Sequence, residues 1–137
     1  MSGRLTWSDV LSVNVKDMDH QHMRLLGLLN ELSEALSQQK GEVLLDTIFK
    51  DLLDYVALHF ADEEALLRRI AYPELEKQVS EHKEFVLTVR KWLDSPSLID
   101  PQQVLMAIEQ WLVVHISRSD AAYIPYVLLD KTRVKKS

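Results

Sequence analysis

The sequence predicts an all-α protein, an up-down-up-down four-helix bundle preceded by an N-terminal extended segment, and three observations carry that prediction. Three glycines and four prolines in 137 residues are too few for the many turns of an all-β fold. Apolar residues make up 47% and charged ones 27%, a globular composition in which Leu, Glu, Lys, Gln and Ala supply strong helix formers. Four amphipathic stretches joined by short connections then favour antiparallel neighbours. The length suits a single domain over 1–137, with 1–18 as an N-terminal segment and 131–137 as a basic tail.

In order along the chain, the first helix is expected from Asp19, a good N-cap, to Gln38, with Gly41 as its stop. A second runs from about Glu42 to Ile70. "YP" at 72–73 ends it, and Pro73 suits the first turn of a third helix that continues to about Asp94. "SPSLID" reads as a loop. "DPQQ" at 100–103 offers an Asp cap, Pro at the first helical position and Gln three residues after the cap, opening a fourth helix to about Arg118. Beyond it, "SDAAYIPYVLLD" has no clear assignment, since Pro125 interrupts any continuation. "KTRVKKS" reads as a solvated end or a linker. Trp7 is expected to pack the N-terminal segment across the end of the bundle.

Several function classes are disfavoured at this level. A formal net charge of −5, with no basic stripe before the tail, argues against a nucleic-acid surface. The absence of cysteine rules out disulfides and thiolate ligands, leaving His, carboxylate and amide groups for any metal. No apolar run approaches the roughly 18 residues of a membrane span, and "MSGRLTWSDV" lacks the core of a signal peptide, so a cytoplasmic location is expected.

The stripe of each helix that should face the core is the informative feature. It reads Met18, His22, Leu25, Leu29, Leu32, Leu36 in the first and Leu45, Phe49, Leu52, Val56, His59, Glu63, Leu66, Ile70 in the second. The third gives Leu75, Gln78, His82, Phe85, Val89, Trp92, and the fourth Val104, Ile108, Trp111, His115. Every helix thus carries one histidine on its apolar face, and antiparallel packing brings all four into the same half of the bundle. A single core histidine is readily explained by a hydrogen bond to a neighbour. Four at one level, joined by Glu63 and Gln78, point to a metal, because unpaired buried polar groups are costly and dications remove that cost.

His59 and Glu63, and likewise Gln78 and His82, are four apart and point inward from adjacent turns. Asp120 lies five after His115, which at about 100° per residue leaves it roughly 140° away in a regular helix. It reaches the site only if the helix ends or bulges between them, as π-bulges do at functional sites. Imidazole with carboxylate suits iron, zinc, copper or nickel, and carboxylates placed between two histidine groups suit a dinuclear centre.

The stretches "MDHQHMRLLGLLNEL", "HFADEEALL", "YPELEKQVSEHKEF" and "WLVVHISRSD" resemble the successive signatures of the hemerythrins, in their bacterial branch, and "LTWSDVLSVNV" resembles that family's N-terminal segment. The resemblance spans Trp7 to about Tyr123. It implies a non-haem diiron centre, two iron ions with an oxo or hydroxo bridge, that binds O2 reversibly. By motif position, His22 and His59 would ligate the iron that takes up O2, His82 and His115 the other, and Glu63 and Asp120 would bridge them.

In that family the second iron has a further histidine one turn before the residue matching His82. Here it is Gln78, an amide that would ligate loosely or hold a water at the vacant position. Either arrangement leaves the second iron more open and suggests faster autoxidation, or oxidase or peroxidase reactivity. Trp111, Leu112 and Val113, in the turn before His115, would wall the pocket, although core packing accounts for Trp111 equally well. His20 reads as a surface or cap-region residue, and Asp62 and Glu64 as solvated residues or supports of the ligands. The expected partner is O2 or another small diatomic or anionic ligand. The expected roles are carriage, storage, delivery or sensing, with a diiron oxidase or peroxidase, or a signalling module with a structural metal, as alternatives.

Overall fold

The computed structural model describes residues 5–38, 42–94 and 100–136, apart from the side chains of 42–45 and 134–136. Among these residues it contains helices and turns and no strand. Helices α1 (Lys16–Ser37), α2 (Glu42–Arg69), α3 (Leu75–Leu93) and α4 (Pro101–His115) form the bundle, and α5 (Ile124–Lys136) follows it. Contacts link α1 with α2 and α4, and α3 with α2 and α4, which closes an antiparallel ring in the predicted order. Among the described residues no helix is long and apolar enough to cross a membrane.

Two apolar clusters fill the bundle and leave a polar layer between them. The larger gathers Leu25, Leu29 and Leu32 of α1, Phe49, Leu52 and Val56 of α2, Phe85 and Val89 of α3, and Leu105, Ile108 and Leu112 of α4. The smaller joins Met18, Leu66, Leu67 and Ile70 to Tyr123 and Val127. On α1 the chain passes from Met18 in one cluster through His22 to Leu25 in the other, and on α2 from Val56 through His59 and Glu63 to Leu66. Apart from Leu45, whose side chain lies outside the described residues, the helical stripes read from the sequence do turn inward, with Leu36, Leu75, Trp92 and Trp111 half-buried and the rest buried.

Several boundaries differ from expectation, each for a local reason. α1 begins at Lys16, so Asp19 lies within its first turn rather than capping it. The Asp19 carboxylate instead accepts from Ser12 Oγ at 2.6 Å and from the Val13 N–H at 2.8 Å. It caps the incoming segment, whose reversal at Asn14 uses a left-handed φ of 64° that asparagine tolerates. That segment runs antiparallel along α1 from Leu5, which exchanges two 2.8 Å hydrogen bonds with the Asn30 amide, and it carries a half-buried Trp7.

α2 ends in a Schellman motif: Ala71 takes the left-handed conformation (φ 55°), and Tyr72 N–H reaches Leu67 O at 2.9 Å. Pro73 thus sits in the turn after this cap, and α3 starts two residues later, not at Pro73. Gly41 and the loop residues 95–99 lie outside the described residues.

At α4 the predicted cap holds, with Pro101 at the first turn and the Asp100 carboxylate accepting from Gln102 N–H at 3.1 Å. The α-helix does not continue to Arg118. It gives way after His115 to a π turn, Ile116–Asp120, and then to a 3-10 turn, Ala121–Tyr123. The unassigned stretch after it forms α5. Pro125 is the second residue of that helix, where the missing N–H has no partner to lose, so it opens a helix instead of interrupting one. Residues 131–136, expected as a separate tail, are the last turns of α5; Lys131 Nζ donates to the Asn14 carbonyl, and Asp130 pairs with Arg69 and Arg133.

Candidate metal centre

The polar layer is built from four helices and one turn. His22 comes from α1, His59 and Glu63 from successive turns of α2, Gln78 and His82 from successive turns of α3, and His115 from the last residue of α4. Asp120 closes the π turn. A turn bonded i to i+5 advances about one revolution in five residues, so it returns residue 120 to the face of residue 115. All seven side chains are at most 5% exposed.

Their atoms fall into two groups that share both carboxylates. His22, His59, Glu63 and Asp120 form one, and Glu63, His82, His115 and Asp120 the other, with one ligand-type atom from each residue lying within 4.8 Å of the rest. The oxygens of Glu63 divide between them: Oε2 lies 3.8 Å from His22 Nε2 and 3.9 Å from His59 Nε2, whereas Oε1 lies 3.1 Å from His82 Nε2. Asp120 divides likewise, with Oδ2 at 3.3 Å from His22 Nε2 and Oδ1 at 3.1 Å from His115 Nε2.

The other ring nitrogens of His59, His82 and His115 are already engaged. His59 Nδ1 faces Gln21 Oε1 at 2.7 Å, and the same amide donates to Asp62 Oδ2 at 2.8 Å. His82 Nδ1 faces Glu64 Oε2 at 2.9 Å, and His115 Nδ1 faces Glu81 Oε2 at 3.0 Å, an oxygen that also accepts from Ser119 Oγ at 2.8 Å. Each partner is an acceptor, so each Nδ1 carries the hydrogen, and in its neutral form each ring turns an Nε2 lone pair inward. His82 and His115 bring these nitrogens to 3.2 Å of one another. Two lone pairs at that distance repel unless a proton or a cation lies between or beside them.

Among the described residues, His22 Nδ1 and Nε2, Glu63 Oε1, Gln78 Oε1 and Asp120 Oδ2 are buried without a hydrogen-bond partner. Buried polar atoms are ordinarily paired, and this donor set of imidazole and carboxylate is the one that dications take. The residues present therefore fit a pair of metal ions.

Aromatic rings enclose one side. Phe60 stacks on His82 at 3.8 Å and 2°, and Trp111 stacks on His115 at 4.4 Å and 11° and on Phe85 at 4.2 Å. Trp111 thus serves both as wall and as core. Leu112 is buried in the larger apolar cluster, and Val113, about 200° around α4 from His115, is half-buried. His20 is exposed.

Burial pushes the His59 imidazole down to about 4, which keeps it neutral at pH 7. Burial acts the same way on His22, but the Asp120 and Glu63 carboxylates beside it outweigh burial and bring it up to about 9. Burial would raise the Glu63 carboxyl, yet His22 and His82 hold it well below the ordinary carboxylate range. At neutral pH the metal-free cluster thus keeps a proton on His22, and a cation taking that nitrogen must displace it. The empty state binds the extra proton, so metal affinity is expected to rise with pH, by up to about tenfold per unit, until pH nears 9. Zinc titrations against a chromophoric chelator at several pH values check this, and a flat affinity would remove His22 as the proton carrier.

Several supporting residues escaped the sequence reading. Tyr123, fully buried, donates its hydroxyl to Glu63 Oε2 at 2.9 Å, and burial lifts its phenol above the ordinary range so that it stays a donor. Gln21, Glu64 and Glu81 share one sequence signal: each adjoins an inward-facing residue of its own helix and supports the histidine of the next helix around the ring. Of these, the sequence singles out only Glu64, as either solvated or a support, and the structure makes it a support.

Residues 13–127 match the Hemerythrin HHE cation binding domain. The chain is 25% identical over 120 residues to a bacteriohemerythrin of Campylobacter jejuni (strain 81-176), covering 85% of this chain and 90% of that one. It is 28% identical over 127 residues to a bacteriohemerythrin of Pseudomonas aeruginosa (strain LESB58), covering 90% and 81%. Among solved structures it superposes on a wild-type hemerythrin with a TM-score of 0.79 at 25% identity, over 90% of this chain and 97% of the other.

Proposed function

We propose that this chain, which belongs to the hemerythrin HHE cation binding family, holds two non-haem iron ions and binds O2 reversibly. The observation that carries this reading is the division of Glu63 and Asp120 between two histidine pairs. His22 and His59 would hold one iron, His82 and His115 the other, and the two carboxylates would bridge them. When bound, an iron pair supplies two electrons for O2 within one site.

The chain's own residues prepare for that ligand. Gln21, Glu64 and Glu81 orient the imidazoles through Nδ1 and raise their basicity, as supports of metal ligands commonly do. Tyr123 fixes one oxygen of Glu63. The faces of Phe60 and Trp111 cover one flank of His82 and His115 with apolar surface.

Gln78 directs its Nε2 to Asp120 Oδ1 at 3.0 Å and leaves its Oε1 without a partner. In this arrangement the amide supports a bridge and supplies no imidazole to the second iron, which stays more open. Gln78→His is expected to slow autoxidation several-fold, read by stopped-flow oxygenation, and equal rates in the two proteins would remove the amide from this role. The same opening favours a second reading, an oxidase or peroxidase side activity.

Optical spectra under O2 and then under vacuum, with iron counted per chain, test the main proposal. Reversible coloration with two irons supports O2 carriage, storage, delivery or sensing. Irreversible bleaching on oxygenation would turn the assignment to catalysis, and protein purified with ample iron yet binding none would end both.

A further inference from the structure

A cavity of about 200 Å3 lies between α3 and the turns that follow α4, with Lys77, Arg118 and Ala122 at its exposed rim and Gln78, Glu81 and Ser119 on its inner wall. Its floor is part of the polar layer. Gln78 is 2% exposed, and Glu81 holds His115 Nδ1. Gln78 gives an amide N–H to Asp120, and its carbonyl oxygen, which accepts and cannot donate, is left without a hydrogen-bond partner. A buried acceptor of this kind is stabilised by an arriving donor or by a cation. The cations Lys77 and Arg118 are balanced by the carboxylates Glu74 and Glu81 on the same lining, so the cavity selects for no net charge. It has room for a few waters, which it is polar enough to hold.

We propose that this cavity is a second ligand port, through which small neutral O–H donors, water or hydrogen peroxide, reach the cation held by His82 and His115. Gln78 Oε1 accepts the hydrogen of the arriving ligand while Asp120 keeps the amide in place. The port rests on the two-cation reading above. It adds a route on the His82 and His115 side and a preference for ligands that carry a proton.

Protein loaded with manganese(II) tests the port directly, because water proton relaxivity measures water exchange at the bound ion and involves no turnover. Ala122→Trp fills the rim from an exposed position, and Gln78→His supplies a lone pair that closes the position from within. With metal per chain unchanged, relaxivity is expected to fall by about half in each variant, since one of the two cations would lose its route to water. Lys77→Trp, on the facing rim, repeats the test should Ala122→Trp fail to fold. Unaltered relaxivity in plugged, metal-loaded protein overturns the port and leaves the metal centre standing. Failure to bind metal at all overturns both, and the metal count separates the two outcomes.

Discussion

Stripping the cations from loaded protein is expected to lower its melting temperature by on the order of 10 °C or more, the largest change in stability that this fold offers. The polar layer buries Glu63 and Asp120 completely, holds five ligand-type atoms without hydrogen-bond partners, and brings His82 Nε2 and His115 Nε2 to 3.2 Å. An ion that binds the folded chain alone stabilises it by about 4 kcal/mol at a thousandfold excess over its dissociation constant. Each kcal/mol moves the midpoint of a domain this size by roughly 2–8 °C. Thermal melts of iron- or zinc-loaded protein, of chelated protein and of protein reloaded after chelation measure the difference. Coincident midpoints would mean that the ions sit outside the bundle.

Glu63→Gln is expected to weaken both ions together, by at least about 100-fold, since even outer partners of metal ligands are worth 10–100-fold and this carboxylate faces both groups. The substitution keeps the side chain's size and leaves an amide oxygen to accept from Tyr123, so the fold has little reason to fail. It removes the charge and one of the two oxygen donors. His59→Ala, by contrast, touches only the group with His22 and should empty one position. Metal per chain and competitive titration distinguish the patterns, and wild-type uptake of two ions by Glu63→Gln would show that no shared carboxylate is needed.

The positions of the inner stripes were legible because they depend on periodicity alone. His22, His59, Glu63, Gln78, His82 and His115 recur with the apolar residues at helical spacing, and a bundle with short connections has to bring them to one level. The Asp100 and Pro101 start of α4 was legible for the same reason, being a local pattern with a local hydrogen bond.

Asp120 was not settled, because its spacing from His115 fits no regular helix, and only packing against the layer selects the five-residue turn that turns it inward. Asp19 shows the limit from the other side: its cap is made, but to a segment whose path along α1 no local pattern announces. Pro125 opens α5 for a similar reason, since the buried Tyr123 and Val127 anchor the new helix on the smaller cluster.

The amino-acid order alone determined which side chains of each helix turn inward, since a helix's faces are set by its own repeat. Which acceptor meets which ring nitrogen was left to tertiary structure: Gln21 to His59, Glu64 to His82 and Glu81 to His115 depend on the offset between neighbouring helices. That offset is fixed by how the side chains of two helices interlock, a property that belongs to neither helix by itself.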